Sequence, residues 1–183
     1  MFRFLALAIL FSTTIFAVSI NESLLKIHAT LVPKISLMDY DFKTKVIDNK
    51  IVIVLYYEKS EYKSAIYLKN KIKTKYANGI NGYAIKCKLV KYTDAKVIKA
   101  NIIYLFPSKK ENILKVTNFA KEVKALTFAY LEDYLIDDIM ISVKIGSRVK
   151  PIINLSSIKR NQICLRPILV KISEIYTSNS DKK

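Results

Sequence analysis

Apolar residues follow one another almost without interruption at three places in this chain: Ile51 to Tyr57 (IVIVLYY), Asn101 to Phe106 (NIIYLF) and Ala125 to Tyr130 (ALTFAY). β-Branched and aromatic runs that are apolar at both alternating positions suit strands buried on both faces. Between them the pattern changes to helical spacing. Ser60 can cap a helix reaching Tyr76, with Tyr62, Ala65, Ile66 and Ile72 on its inner side and Asn78-Gly79 ending it. Ser108-Lys109-Lys110-Glu111 has the spacing of a capping box, in which the Ser oxygen accepts from the third helical N–H and Glu111 reaches back. The helix that follows carries Ile113, Leu114, Val116, Phe119 and Ala120.

The flanking segments extend this alternation. Glu22 to Met38 reads as a helix with Asn21 as cap and with Leu24, Leu25, His28 and Leu31 on one face; Pro33 should kink or split it. Asn81-Gly82 marks a turn before a strand from Tyr83 to Val90. Ile139 to Ile145 and Val149 to Leu155 read as strands joined by a two-residue hairpin loop at Gly146-Ser147. A short helix near Ser156, a last strand around Ile163 and a helix from Pro167 to Tyr176 complete the pattern. Strands alternating with helices imply parallel pairing with helices on both faces. The fold class is therefore α/β: a three-layer sandwich, mostly parallel, with a C-terminal antiparallel hairpin. One domain over residues 20–177 accounts for it, followed by a frayed tail, 178–183.

The first nineteen residues differ in kind. MFRFLALAILFSTTIFAVS has Arg3 as its only charge, then an apolar run, then Ala17-Val18-Ser19 with small residues where a signal peptidase reads. That order is a signal peptide cleaved near Ser19, and the run is short for a spanning anchor. The expected location is the periplasm.

Charge changes the picture less than its size suggests. The formal net charge is +16, and loss of Arg3 leaves +15. The cations are 27 Lys and only four Arg, whereas bidentate recognition of phosphates and bases favours Arg. Scattered solvated lysines explain the excess, and together with export they argue against nucleic acid as a partner. Charge-driven attraction to an anionic envelope surface stays open as a third class of function.

The candidate chemistry is sparse. No phosphate-loop, dinucleotide-binding, nucleophile-elbow or zinc-protease motif occurs, so the chain reads as a binding protein, not an enzyme, with no cofactor. The single His28 lies on an apolar helix face, as a packed core histidine does. Cys87 and Cys164, 77 residues apart, lack metal-ligand spacing, and no metal site is expected. In an exported chain they are candidates for a disulfide, the alternative being two separate buried thiols. LEDYLIDD places Glu132, Asp133, Asp137 and Asp138 within seven residues, after a strand whose carboxyl end lies where open α/β sheets place their sites. They would meet a hard cation or a basic partner, or form a solvated loop near surface lysines. Asn154 stands at a strand-to-helix corner, where it can cap the next helix or take part in binding an anion.

The stretch GSRVKPIINLSSIKRNQICLRPILVKISEIY, Gly146 to Tyr176, resembles the ending of the YfiR-like family of periplasmic regulatory proteins. The resemblance rests on Gly146, Arg148, Val149, Ile153, Asn154, Leu155, Ile163, Leu165 and Leu169, and the preceding order of elements is also similar. Asp137-Asp138 stands where those proteins often carry Gly-Gly, and they often have more cysteines. The resemblance implies a small α/β sandwich that binds and modulates an inner-membrane diguanylate cyclase or sensor kinase. It thereby implies a place in cyclic-di-GMP signalling and biofilm control, and it leaves a homodimer open. On that reading Arg148 and Asn154, with the acidic group, are the binding residues to examine. The rival expectation is a periplasmic small-ligand-binding module that uses the crevice at the strands' carboxyl ends.

Overall fold

A computed structural model describes residues 21–177, apart from the side chain of Asp137. The signal-like segment and the tail lie outside the described residues. Among those described, no helix is long and apolar enough to cross a membrane.

The three apolar runs form strands and set the sheet. β1 (Lys50–Tyr57) is buried at every position after its first. β2 (Ala84–Lys91) pairs with it on one side and β3 (Ile102–Leu105) on the other, both parallel. β4 (Leu126–Ala129), β5 (Ile141–Ile145), β6 (Val149–Ile153) and β7 (Glu174–Ile175) complete seven strands in the order β2-β1-β3-β4-β5-β6-β7. Only β5 and β6 are antiparallel. This is the α/β, mostly parallel architecture with one antiparallel pair that the alternation predicts.

Two cores lie on the two faces. On the first, α1 (Glu22–Ser36) and α3 (Tyr62–Lys75) place Leu25, Val32, Ala65 and Leu68 against Ile51, Ile53 and Leu55. Phe42 of the one-turn α2 (Phe42–Lys45) joins this core, meeting Tyr83 edge-on at 5.1 Å. So do Ile158 of α5 (Leu155–Arg160) and Leu169 of α6 (Pro167–Ile172). On the second face, α4 (Lys110–Glu122) packs Ile113, Val116 and Ala120 against Val54, Ile103 and Leu105. Asn101 connects the centre of the sheet to α2. Its Oδ1 accepts from the Val52 N–H at 2.9 Å and its Nδ2 donates to the Lys45 carbonyl at 3.1 Å.

Local signals hold where backbone geometry is decisive. Asn81 and Gly82 have φ of 50° and 81°, and Ile80 and Tyr83 exchange two 2.9 Å bonds across them, as a turn with two left-handed central residues does. Gly79 is left-handed too, and a Cβ there would lie 2.3 Å from the Tyr83 carbonyl oxygen. Asn21 caps α1, accepting from the Leu24 N–H at 3.0 Å.

Other expectations need correction. Pro33 lies inside α1 without splitting it, held in the last turn by the burial of Val32, Pro33 and Ile35. Ser60 caps nothing; it belongs to a 3-10 turn, Lys59–Glu61, and Tyr62 points outward, 47% exposed. The β5–β6 hairpin has three loop residues, because Ile145 pairs with Val149, and Gly146 is not left-handed. No strand forms at Ile163. The segment after α5 makes a single bridge, Leu165 to Asp39, and α6 stops at Ile172 so that Glu174 and Ile175 can pair with β6. Both cysteines are free. Cys87 is on the edge strand β2 with its thiol pushed up to about 12 by burial, while Cys164 is exposed in the loop before α6, its carbonyl accepting from the Tyr40 N–H.

Candidate functional site

From β1 the chain passes through α3, on the first face, to β2 on one side. It then crosses back to β3 on the other side and leaves through α4, on the second face. The loops at the carboxyl ends of β1 and β3 therefore diverge, which is the switch point where open α/β sheets bind ligands. An open crevice of about 880 Å³ lies there. Glu58, Lys59 and Ser60 enter it from the end of β1; Pro107, Ser108 and Lys109 enter from the end of β3; Glu111, Asn112 and Tyr134 close its sides.

Glu58 is the best-positioned group in the crevice. One of its oxygens, Oε1, accepts from the Ser108 hydroxyl and from Asn112 Nδ2 at 3.0 Å, and Asn112 Nδ2 also donates to Ser108 Oγ at 3.0 Å. The other oxygen takes no hydrogen bond from the described residues. This network replaces the expected capping box. Ser108 turns to Glu58, Lys109 becomes the N-cap residue of α4, and no side chain caps that helix. Beneath the crevice the buried Tyr92 donates its hydroxyl to the Phe106 carbonyl at 2.8 Å. Its ionisation is pushed up chiefly by burial, with Tyr134 and Glu58 adding to the rise.

The acidic residues singled out in the sequence do not converge. Glu132 and Asp133 are exposed in the 3-10 segment Glu132–Asp137 and line a separate pocket of about 430 Å³ with Lys144 and Glu174. Lys144 pairs with Glu174, whose hydrogen bond and charge raise the lysine's pKa. Asp138 adopts φ 67° and pairs with Arg160. Among the described residues no three His, Cys, Asp or Glu side chains gather as metal ligands. Arg148 is exposed on the rim of a neighbouring pocket of about 520 Å³ with Lys144 and Lys150.

Asn154 is buried, and its polar atoms are occupied. Its Oδ1 accepts from the Ser157 N–H at 2.9 Å, capping α5, and its Nδ2 donates to the Leu135 carbonyl at 2.8 Å. It ties the acidic turn to the C-terminal unit. Asn154→Ala removes a cap and strands a carbonyl, an expected loss of about 2–3 kcal/mol in urea unfolding. A loss under about 0.5 kcal/mol would contradict this role.

His28 belongs to the core. It is fully buried in a box of Tyr104, Phe128 and Tyr130 rings at 5.2–5.9 Å. Nδ1 and the Tyr104 hydroxyl share a 2.6 Å hydrogen bond, while Nε2 has no partner.

The architecture is that of a doubly wound α/β domain with an open crevice at its switch point. No family model and no curated protein matches the chain. Eleven solved chains do. A conserved domain protein from Vibrio cholerae O1 biovar El Tor is similar at a TM-score of 0.57 and 14% identity, over 84% of this chain and 60% of that one. An ABC domain from Streptococcus pneumonia, solved in complex with L-Trp, is similar at a TM-score of 0.50 and 10% identity, over 78% of this chain and 62% of that one. At these identities the likeness is one of fold, and the chain spans about three-fifths of the length of either protein.

The sequence pointed to a crevice at the strands' carboxyl ends but not to the residues that line it. Glu58 and Ser108 are 50 residues apart and become neighbours only because β1 and β3 are adjacent. The available signal was that Glu58 follows directly on the buried end of β1 and Ser108 comes three residues after the buried β3.

Proposed function

We propose that this chain is a small-ligand-binding module whose ligand occupies the crevice between the carboxyl ends of β1 and β3. The observation that carries the reading is Glu58, fixed through one oxygen by Ser108 and Asn112 and open at the other, in a cleft of about 880 Å³. The L-Trp complex of a fold neighbour supports it, since a domain of similar architecture holds a small molecule. A thermal-shift screen of polar metabolites tests it. A ligand at 100 times its Kd stabilises by about 2.7 kcal/mol, which raises Tm by roughly 5–10 °C for a chain of this size. The shift should disappear in Lys59→Glu/Lys109→Glu. Shifts that persist there place the ligand elsewhere and overturn the proposal.

A second reading follows the YfiR-like resemblance: an exported regulator that docks on a membrane-bound cyclase or sensor kinase. It is favoured by exposed apolar residues in the resembling C-terminal unit. Ile145 and Val149 face each other across the hairpin at 54% and 44% exposure, and Ile168 and Ile172, one turn apart on α6, are 54% and 53% exposed. Cross-linked pull-down from inner membranes should recover such a partner with the native chain and lose it with Ile168→Lys/Ile172→Lys. Equal recovery by both would remove that surface from consideration.

A further inference from the structure

The charges that converge on the switch-point crevice narrow the class of ligand, an inference that rests on the binding proposal above. We infer that the crevice takes a zwitterion of the α-amino-acid type with an apolar or aromatic side chain. The bond from Ser108 to Glu58 joins the two strand ends. It brings Lys59, which follows Glu58, and Lys109, which follows Ser108, into the lining of one crevice, with Glu58 and a second carboxylate, Glu111. Neither lysine has an ion-pair partner among the described residues.

Opposite charges in one cleft discriminate between ligands of single charge. A simple anion attracted by Lys59 and Lys109 meets the open oxygen of Glu58. A simple cation attracted by Glu58 meets the two ammonium groups. A molecule carrying both charges on one carbon meets groups of both signs. Its ammonium donates to the open Glu58 oxygen, and its carboxylate accepts from the lysines beside the end of α4, which has no side-chain cap. Tyr134 and Pro107 on the crevice wall offer apolar surface to a side chain.

Isothermal titration of the protein tests this with L-phenylalanine and its two half-analogues, phenethylamine and 3-phenylpropionate. L-Phenylalanine should bind, and each half-analogue should bind about tenfold more weakly or worse, because each leaves a charged group of the cleft without its partner. Glu58→Gln should weaken L-phenylalanine by a similar factor while leaving 3-phenylpropionate unchanged or tighter. Lys59→Met/Lys109→Met should spare phenethylamine instead. Equal binding of the amino acid and either half-analogue, or indifference of L-phenylalanine to Glu58→Gln, overturns the zwitterion. If the metabolite screen finds crevice-dependent ligands that are purely anionic or cationic, the class falls and the binding reading survives. If no small molecule binds in a crevice-dependent way, both fall.

Discussion

Phe128→Ala should lower stability by about 3–5 kcal/mol, the range for truncating a fully buried aromatic residue. Phe128 is 0% exposed on β4, between β3 and β5. Its ring stacks on Tyr104 at 5.5 Å and 14°, and meets His28 edge-on at 5.2 Å. Tyr104 in turn packs on Phe106, and Phe106 on Tyr130, so the void opens inside a continuous aromatic cluster at the sheet's centre. The transfer and cavity penalties both apply, because backbone on either side of β4 prevents collapse. Thermal unfolding should show Tm lower by roughly 10 °C. Leu114→Ala, at a 38% exposed site of α4, serves as the comparison and should cost under about 1 kcal/mol. A Phe128→Ala loss no larger than that of Leu114→Ala would contradict the described core.

The second large effect is a dependence on pH that originates in the same cluster. Burial lowers the pKa of His28 from its ordinary 6.5 to about 3, since no carboxylate faces the ring and Nε2 has no acceptor. The folded state holds the ring neutral, whereas the unfolded chain protonates it below 6.5. The stabilisation is therefore complete above 6.5 and is lost as pH falls from there towards 3. The slope is about 1.36 kcal/mol per pH unit, so pH 5 should cost about 2 kcal/mol relative to pH 7.5. Ordinary carboxylates titrate mostly below that window. Urea midpoints at the two pH values should diverge in the wild type and nearly coincide in His28→Phe. Equal pH dependence in the two proteins would mean that His28 is hydrated in solution. Phe128→Ala should also flatten the profile, because a void beside the His28 ring gives water access to it.

Much of the scaffold was legible from the residues. IVIVLYY, NIIYLF and ALTFAY are apolar at both alternations, and they became strands covered by helices on both faces. Asn154 reads as a cap because an Asn before a short helix can satisfy an N–H within its own turn, and it does. Asn81-Gly82 reads as a turn because two left-handed residues are needed in sequence there. These features are determined within a few residues, so the sequence alone suffices for them.

Features that depend on partners far along the chain were decided by the tertiary structure. Ile163 sits in an apolar context, yet no strand edge is available to it; Glu174 and Ile175, with no strand pattern of their own, pair with β6 because α6 ends beside it. Ser108 has the spacing of a capping box, but a carboxylate 50 residues earlier competes for its hydroxyl and wins. Cys87 and Cys164 remain thiols, one on the edge strand β2 and the other exposed in the loop before α6. The crevice belongs with these. It exists because the chain turns to opposite sides after β1 and after β3, and strand order is fixed by how the two helical layers bury their apolar faces, which no local pattern encodes.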